Sequence, residues 1–359
     1  MALSVNSFRV RSCLTPEPLS ATTASSHPAL TCTMVRVILE SRIDAHATTL
    51  YKPGEGTLEN VLAGWSHLDA LTVDRYHRCG YVLIRGGFST DEIAGAVGEL
   101  EHITLSDTPP VDAIYYEGAL CDTLAQCASA PAAAGADLPF ALGSTSNELP
   151  HLAAEVRASF VRKAMGFGHA ANPHLHAITS NPELLSAASK LSASSRNGED
   201  TAVAVMPAMR LFQDMAMIKP PGGREKPWHQ DHAYFKLPLE TPIVGVWIAL
   251  GSVTAENGAM TLLPGQHIRG PRRHAHVRDF QMCDADIEAS SAERVCVPME
   301  AGDVLLFDGK LPHGTATNLS SSRRWAVQLH YIPQEAKLLA GAEAEMVAGA
   351  FGGGAEESC

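Results

Sequence analysis

Ordered cysteine is missing from this chain. Its eight cysteines, at positions 13, 32, 79, 121, 127, 283, 296 and 359, form no Cys-x-x-Cys pair and no regular spacing. That excludes a disulfide framework or a cysteine zinc site and points to a reducing compartment. Long apolar runs are also missing: nothing approaches about eighteen consecutive apolar residues, so no membrane span is expected. Basic excess is absent as well, with 27 Lys and Arg against 39 Asp and Glu and a formal charge of −12. Bulk attraction to nucleic acid or to an anionic membrane is therefore not expected, and any anion must be caught locally.

What is present supports a folded enzyme-sized chain. At 359 residues, with 45% hydrophobic and 18% charged residues and a mean hydropathy of −0.01, it can bury a full core in one large domain or two ordinary ones. The first 33 residues carry eleven Ser/Thr, Arg9, Arg11 and a single acid, Glu17. Two readings of this leader (1–45) stand: an organelle transit peptide, or a disordered or untranslated segment before a start at Met34. Localisation is accordingly expected to be intracellular, either cytoplasmic or organellar.

From Trp65 to Ile103 the text reads helix, strand, helix. Gly80–Ile84 is the apolar strand, and Ser89 with Glu92 forms a capping box. Leu152–Ala164 and Pro182–Leu191 read as helices, the second introduced by Asn181-Pro182. Residues 128–137 read as a surface loop, and within the tail 336–359 the stretch from Ala340 to Cys359 reads as partly helical. After residue 200 come short apolar runs: Val203–Ile218, Ile243–Val253, Ala259–Leu263, Arg294–Met299, Val304–Phe307 and Trp325–Ile332. Turn signals such as Pro220-Pro221-Gly222-Gly223 separate them, which predicts a β-sandwich or barrel. No repeat of solenoid period is seen.

In Trp228-His229-Gln230-Asp231 the His and Asp are two apart. On an extended strand they project to one side and can converge on one cation, while Gln230 points away. A second histidine, His313 in Leu311-Pro312-His313-Gly314-Thr315 after the strand Gly302–Phe307, would complete two imidazoles and a carboxylate. That is a facial set suited to Fe(II), which leaves positions open for substrate and dioxygen. Arg324 opens a strand in which alternation puts Arg324, Ala326, Gln328 and His330 on one face. That face is polar and expected to line a cavity, where a buried guanidinium needs a carboxylate or phosphate partner.

The segment from about Met209 to Pro333 resembles the phytanoyl-CoA dioxygenase family of Fe(II)- and 2-oxoglutarate-dependent oxygenases. The resemblance rests on WHQDHAYF, NGAMTLLPGQH, GDVLLF, HGTATN and Arg324, with a looser match at GYVLIRGGFSTDEI. It implies an α+β, mainly β fold: a double-stranded β-helix (jelly roll, cupin-like) from about 200 to 333, flanked by helices of residues 65–200, in a single domain over 65–335. It implies that His229, Asp231 and His313 bind iron and that Arg324 binds the distal carboxylate of 2-oxoglutarate, with Thr315 on the same carboxylate. Gln230, Trp247 and Met215 match co-substrate positions, although Trp247 and Met215 lie in apolar strands where core packing is the competing role. A further basic co-substrate contact has no assigned position among Arg157, Arg162, Lys163 and His174.

The implied reaction is hydroxylation of an aliphatic carbon of a small molecule or acyl-CoA, with O2 consumed and succinate and CO2 released. Asp231 supplies a carboxylate ligand, so no coordination position is left for halide. The alternative is a non-catalytic jelly-roll module that keeps a metal for structure or sensing. His267 reads as a turn residue bonded to backbone. His174/His176 and His274/His276 read as surface pairs, Arg323 as a surface charge, and the basic run 269–278 as a solvated loop with acidic substrate such as a CoA phosphate as the competing reading. Asn318 reads as closing the turn before Arg324.

Overall fold

The computed structural model describes residues 45–52, 54, 56–117, 153–193 and 206–352. The leader before residue 45, the 128–137 segment, Val203–Val205 and the last seven residues lie outside the described residues.

The helix–strand–helix text folds as read. Helix α2 (Ala70–Cys79; α1 is Ala45–Thr49) is N-capped by Asp69 and stopped by Gly80 at φ +86, a conformation glycine adopts without strain. The chain then turns into β2 (Tyr81–Ile84; β1 is Val61–Leu62). Ser89 and Glu92 form the capping box of α3 (Thr90–Leu105), each satisfying an amide of the other. The expected helix over Leu152–Ala164 is corrected. Only α4 (Ala154–Ser159) is helical, and Val161–Met165 is strand β4, paired with β3 (Ala113–Tyr116) and with β5 (Met209–Lys219). Val161 and Ala164 are both buried at i, i+3 spacing, the signature of a helix. Here a register shift in the β3–β4 pair produces it, and partners far along the chain supply the backbone bonds.

Beyond α5 (Pro173–Thr179) and α6 (Pro182–Ser192), the remaining strands are β6 (Lys226–His229), β7 (Val244–Ala249), β8 (Met260–Leu262), β9 (His274–His276), β10 (Phe280–Met282), β11 (Val295–Val297), β12 (Val304–Asp308), β13 (His313–Thr315) and β14 (Arg324–Pro333). Two short helices complete the described chain, α7 (Asp284–Glu288) and α8 (Gly341–Ala350). Eight strands form a large sheet in the order β1-β2-β12-β7-β14-β5-β4-β3, and four form a smaller one, β11-β8-β13-β6.

Side-chain alternation divides the large sheet into two faces. Val82, Ile84, Val246, Ile248, Val304, Leu306, Val327 and Leu329 pack outward against residues of α2, α3, α5 and α6, including Tyr76, Leu100, Leu175 and Leu184. Leu83, Trp247, Ala249, Leu305, Phe307 and Ala326 pack inward against Met260, Leu262 and Val297 of the small sheet. Two sheets sharing an apolar interior, with helices covering one outer face, make the mainly β jelly roll that the sequence predicts. Among the described residues no helix is long and apolar enough to cross a membrane.

Candidate metal centre

His229 and His313 are direct partners in the β6–β13 ladder, so period-2 geometry puts both imidazoles on the inner face of the small sheet. Their ring centroids are 4.3 Å apart. Gly314, between His313 and Thr315, lets β13 approach β6: a Cβ there would sit 3.0 Å from the Lys226 carbonyl oxygen and 3.2 Å from the Trp228 nitrogen. Strand β6 ends at His229, Gln230 is still extended, and Asp231 opens a 3-10 turn through Tyr234. The i, i+2 projection expected of an extended strand therefore holds although the strand has ended.

Each histidine is locked as one tautomer. His229 Nδ1–H donates to the Pro227 carbonyl at 2.7 Å and His313 Nδ1–H to the Leu311 carbonyl at 2.9 Å. Both Nε2 lone pairs are thereby aimed at Asp231 Oδ1, at 3.2 and 3.6 Å. Donors at right angles on an octahedral ion with bonds of about 2.1 Å stand about 3 Å apart, so the set fits a small divalent cation bound through one face. His313 Nε2 is buried and has no hydrogen-bond partner among the described residues, as a donor atom reserved for a ligand would be.

Electrostatics favour the ligating protonation states. Burial, then the neighbouring His313, pushes the His229 imidazole down to about 3. Burial lowers His313 as well. Burial alone would raise the Asp231 carboxyl, but His313, His330 and His229 together hold it well below the usual range.

The second oxygen of Asp231 is held from the opposite sheet. His330 Nε2 lies 2.8 Å from Oδ2 and Gln328 Nε2 donates to the same oxygen at 3.0 Å. With Oδ2 occupied by two N–H donors, only Oδ1 faces the histidines, which favours a monodentate carboxylate. The alternation of β14 had marked Gln328 and His330 as cavity-facing, but no sequence signal tied them to an aspartate almost a hundred residues earlier.

On the same face of β14, Arg324 is 2% exposed, and among the described residues its Nε and Nη1 have no hydrogen-bond partner. Its guanidinium stands 5.0 Å from the centre of the Trp247 ring, and burial pushes it down to about 9. A buried guanidinium with unsatisfied donors fits the far carboxylate of a dicarboxylate co-substrate, which would satisfy the fork. Beside it the Lys219 ammonium donates to Thr315 Oγ1 at 2.8 Å and to the Thr315 and Ala316 carbonyls. The Thr315 hydroxyl, already accepting, keeps its own proton to donate. Trp247, Gln328 and Met215 form one cross-strand row on β7, β14 and β5, which puts Trp247 and Met215 on the inner face near both groups. Lys163 shares the next row with Met217 and Ala326. Burial, then Arg162 and Lys226, pushes it down to about 7.

Of the four upstream basic residues, Lys163 lies on the inner face of the large sheet, and Arg162, beside it at the register shift, meets Asp279 at 3.5 Å. Arg157 is bound by the Leu105 and Ser106 carbonyls, while His174 sits on α5 with its amide on Glu99.

Other predicted residues are placed elsewhere. Gln230 turns away from the metal cluster: its amide bonds the Gly270 and Lys310 carbonyls and accepts from the Arg272 amide. It ties a loop to the motif rather than lining the cavity. His267 Nε2 meets the His77 carbonyl, a backbone contact as expected. His274, expected at the surface, is instead buried, because its ring bonds both the Gln230 amide and the Arg272 carbonyl. In the basic run, Arg278 is bound by Glu225 at 2.5 Å and by both oxygens of Asp284. Asn318 bonds the Lys219 and Ser322 carbonyls and so closes the turn before Arg324.

Residues 76–326 match the phytanoyl-CoA dioxygenase (PhyH) family. A phytanoyl-CoA dioxygenase of Arabidopsis thaliana is 33% identical over 129 residues, which is 35% of this chain and 45% of that protein. A probable alpha-ketoglutarate-dependent hypophosphite dioxygenase of Stutzerimonas stutzeri is 30% identical over 140 residues, 37% of this chain and 48% of that protein. The chain thus spans about half the length of the curated relatives it matches. Among solved structures, EctD from S. alaskensis with bound Fe aligns with a TM-score of 0.52 at 18% identity, covering 80% of this chain and 85% of that one, a likeness of fold. With the family match running across both sheets and through the His-Asp-His cluster, the chain belongs to the phytanoyl-CoA dioxygenase family.

Proposed function

We propose that the chain is an Fe(II)- and 2-oxoglutarate-dependent dioxygenase that hydroxylates an aliphatic carbon of a small molecule or acyl-CoA within a single catalytic unit spanning 65–335. One observation carries the proposal: the buried guanidinium of Arg324, whose Nε and Nη1 have no hydrogen-bond partner among the described residues, shares the inner face of β14 with the two residues that orient Asp231. A metal held only for structure or sensing gives no reason to bury a guanidinium with two unsatisfied donors on that face.

In this reading His229, Asp231 and His313 hold the ion on one face, while Gln328 and His330 keep Asp231 Oδ2 away from it. Arg324 and the Thr315 hydroxyl clasp the far carboxylate of 2-oxoglutarate, and Trp247 and Met215 form dry walls that strengthen those contacts. Lys163 supplies the further positive charge toward the oxoacid. When bound, Fe(II) with 2-oxoglutarate and O2 supplies the oxidising chemistry, with succinate and CO2 as co-products. The chain's own share is ligand geometry, carboxylate recognition and exclusion of water.

The relatives' names include a CoA thioester and a small phosphorus oxyanion as substrates, so the acyl-CoA and free-metabolite versions are tested against each other. Protein supplied with Fe(II), 2-oxoglutarate and air is screened against metabolite fractions for substrate-stimulated succinate release. A hit that survives removal of its CoA moiety assigns a free metabolite. A protein that releases no succinate under any fraction, or alone, refutes the dioxygenase reading.

A further inference from the structure

Helix α8 is weakly held. Of its ten residues only Ala344 and Val347 are buried. Phe351, which follows it, is by contrast 1% exposed and among the largest fully buried side chains. Its ring lies 5.8 Å from His232, nearly parallel, and 5.8 Å from His274, edge-on. Its carbonyl accepts from the His274 amide at 2.6 Å. The seat is tight: a Cβ on the following Gly352 would meet the His274 carbonyl oxygen at 2.8 Å.

Both aromatic neighbours lead to the metal ligands. His232 follows Asp231 directly, so the Phe351 ring packs behind the turn that aims that carboxylate. His274 Nδ1–H donates to the Arg272 carbonyl, which leaves Nε2 to accept from the amide of Gln230 at 3.0 Å. Gln230 stands between His229 and Asp231, and its side chain ties the Arg272 amide to the Lys310 carbonyl, three residues before His313. The back of the His-x-Asp motif is therefore closed by one aromatic residue delivered from the C-terminal segment.

We propose that Phe351 is a positioning residue for the metal ligands, and that docking of the C-terminal helix and occupancy of the metal site are thermodynamically linked. Linkage is reciprocal: the factor by which undocking weakens the metal is the factor by which the metal favours docking. The inference rests on the His-Asp-His metal reading above, and its test separates the two.

Free Mn(II) is followed by electron paramagnetic resonance during titration of the full chain, and amide exchange of residues 341–352 is measured with and without Mn(II). Phe351→Ala should weaken Mn(II) about 10- to 100-fold, the usual effect of removing support behind a metal ligand. Phe351→Leu, which refills part of the seat, should recover most of it. In the wild-type chain Mn(II) should slow exchange in 341–352. This second readout needs no variant, and a helix that only adds general stability would not respond to the metal in this way. Wild-type Mn(II) affinity in Phe351→Ala, or exchange in 341–352 indifferent to Mn(II), overturns the linkage. Absence of Mn(II) binding by the wild-type chain overturns the metal reading, and the linkage with it.

Discussion

Replacement of Arg324 separates function from stability in opposite directions. In the free protein the guanidinium is buried, its Nε and Nη1 bond nothing among the described residues, and burial pushes it down to about 9. An unsatisfied buried donor costs about 1–3 kcal/mol, so Arg324→Met should leave the free protein at least as stable as the wild type. Truncating one partner of a buried charge pair costs about 2–5 kcal/mol of binding. Arg324→Ala or Arg324→Met should therefore weaken 2-oxoglutarate about thirtyfold to several thousandfold at about 1.4 kcal/mol per decade. Arg324→Lys keeps the charge without the planar fork and should fall between. The assay is an anaerobic calorimetric titration of 2-oxoglutarate into Mn(II)-loaded protein, with thermal melts of the free protein alongside. Unchanged 2-oxoglutarate affinity in Arg324→Ala would refute the assignment. A large loss of stability in the free Arg324→Met protein would show that the guanidinium has a structural partner instead.

Gln328→Leu and His330→Phe each remove one of the two donors to Asp231 Oδ2 and should weaken Mn(II) about 10- to 100-fold, measured by the same titration. Equal affinity in both variants would mean that the carboxylate is fixed without them. Lys163 starts near 7 because of burial, Arg162 and Lys226, so above that pH it is mostly neutral in the free site and binding an anion must take up a proton. Affinity for 2-oxoglutarate should then fall as pH rises from about 7 to 9, by up to about tenfold per unit. Lys163→Met should flatten that slope, and a slope that persists in the variant assigns the proton to another group.

The parts of this molecule written locally were legible in the sequence. The Ser89–Glu92 box, the helix–strand–helix order from Trp65 to Ile103 and the polar face of β14 need only neighbours a few residues away. The convergence of the three candidate metal ligands was legible because residue type and spacing carry their chemistry: His229 and Asp231 at i, i+2, and His313 after a buried strand. What could not be read depends on distant pairing. Leu152–Ala164 read as one helix, whereas Val161–Met165 is a strand only because β3 and β5 pair with it. The engagement of Asp231 by Gln328 and His330 spans almost a hundred residues, and the seating of Phe351 behind His232 spans more. Polarity of a strand face says that a group is wanted in the interior, whereas its partner is set by how the two sheets stack.

The most direct test of the central claim is the visible spectrum of the protein with Fe(II) and 2-oxoglutarate under strict anaerobiosis. A weak charge-transfer band should appear only when both are present, should be lost in Asp231→Ala and His313→Ala, and in Arg324→Ala should require far more 2-oxoglutarate. A protein that shows no band and instead retains tightly bound zinc would contradict the account.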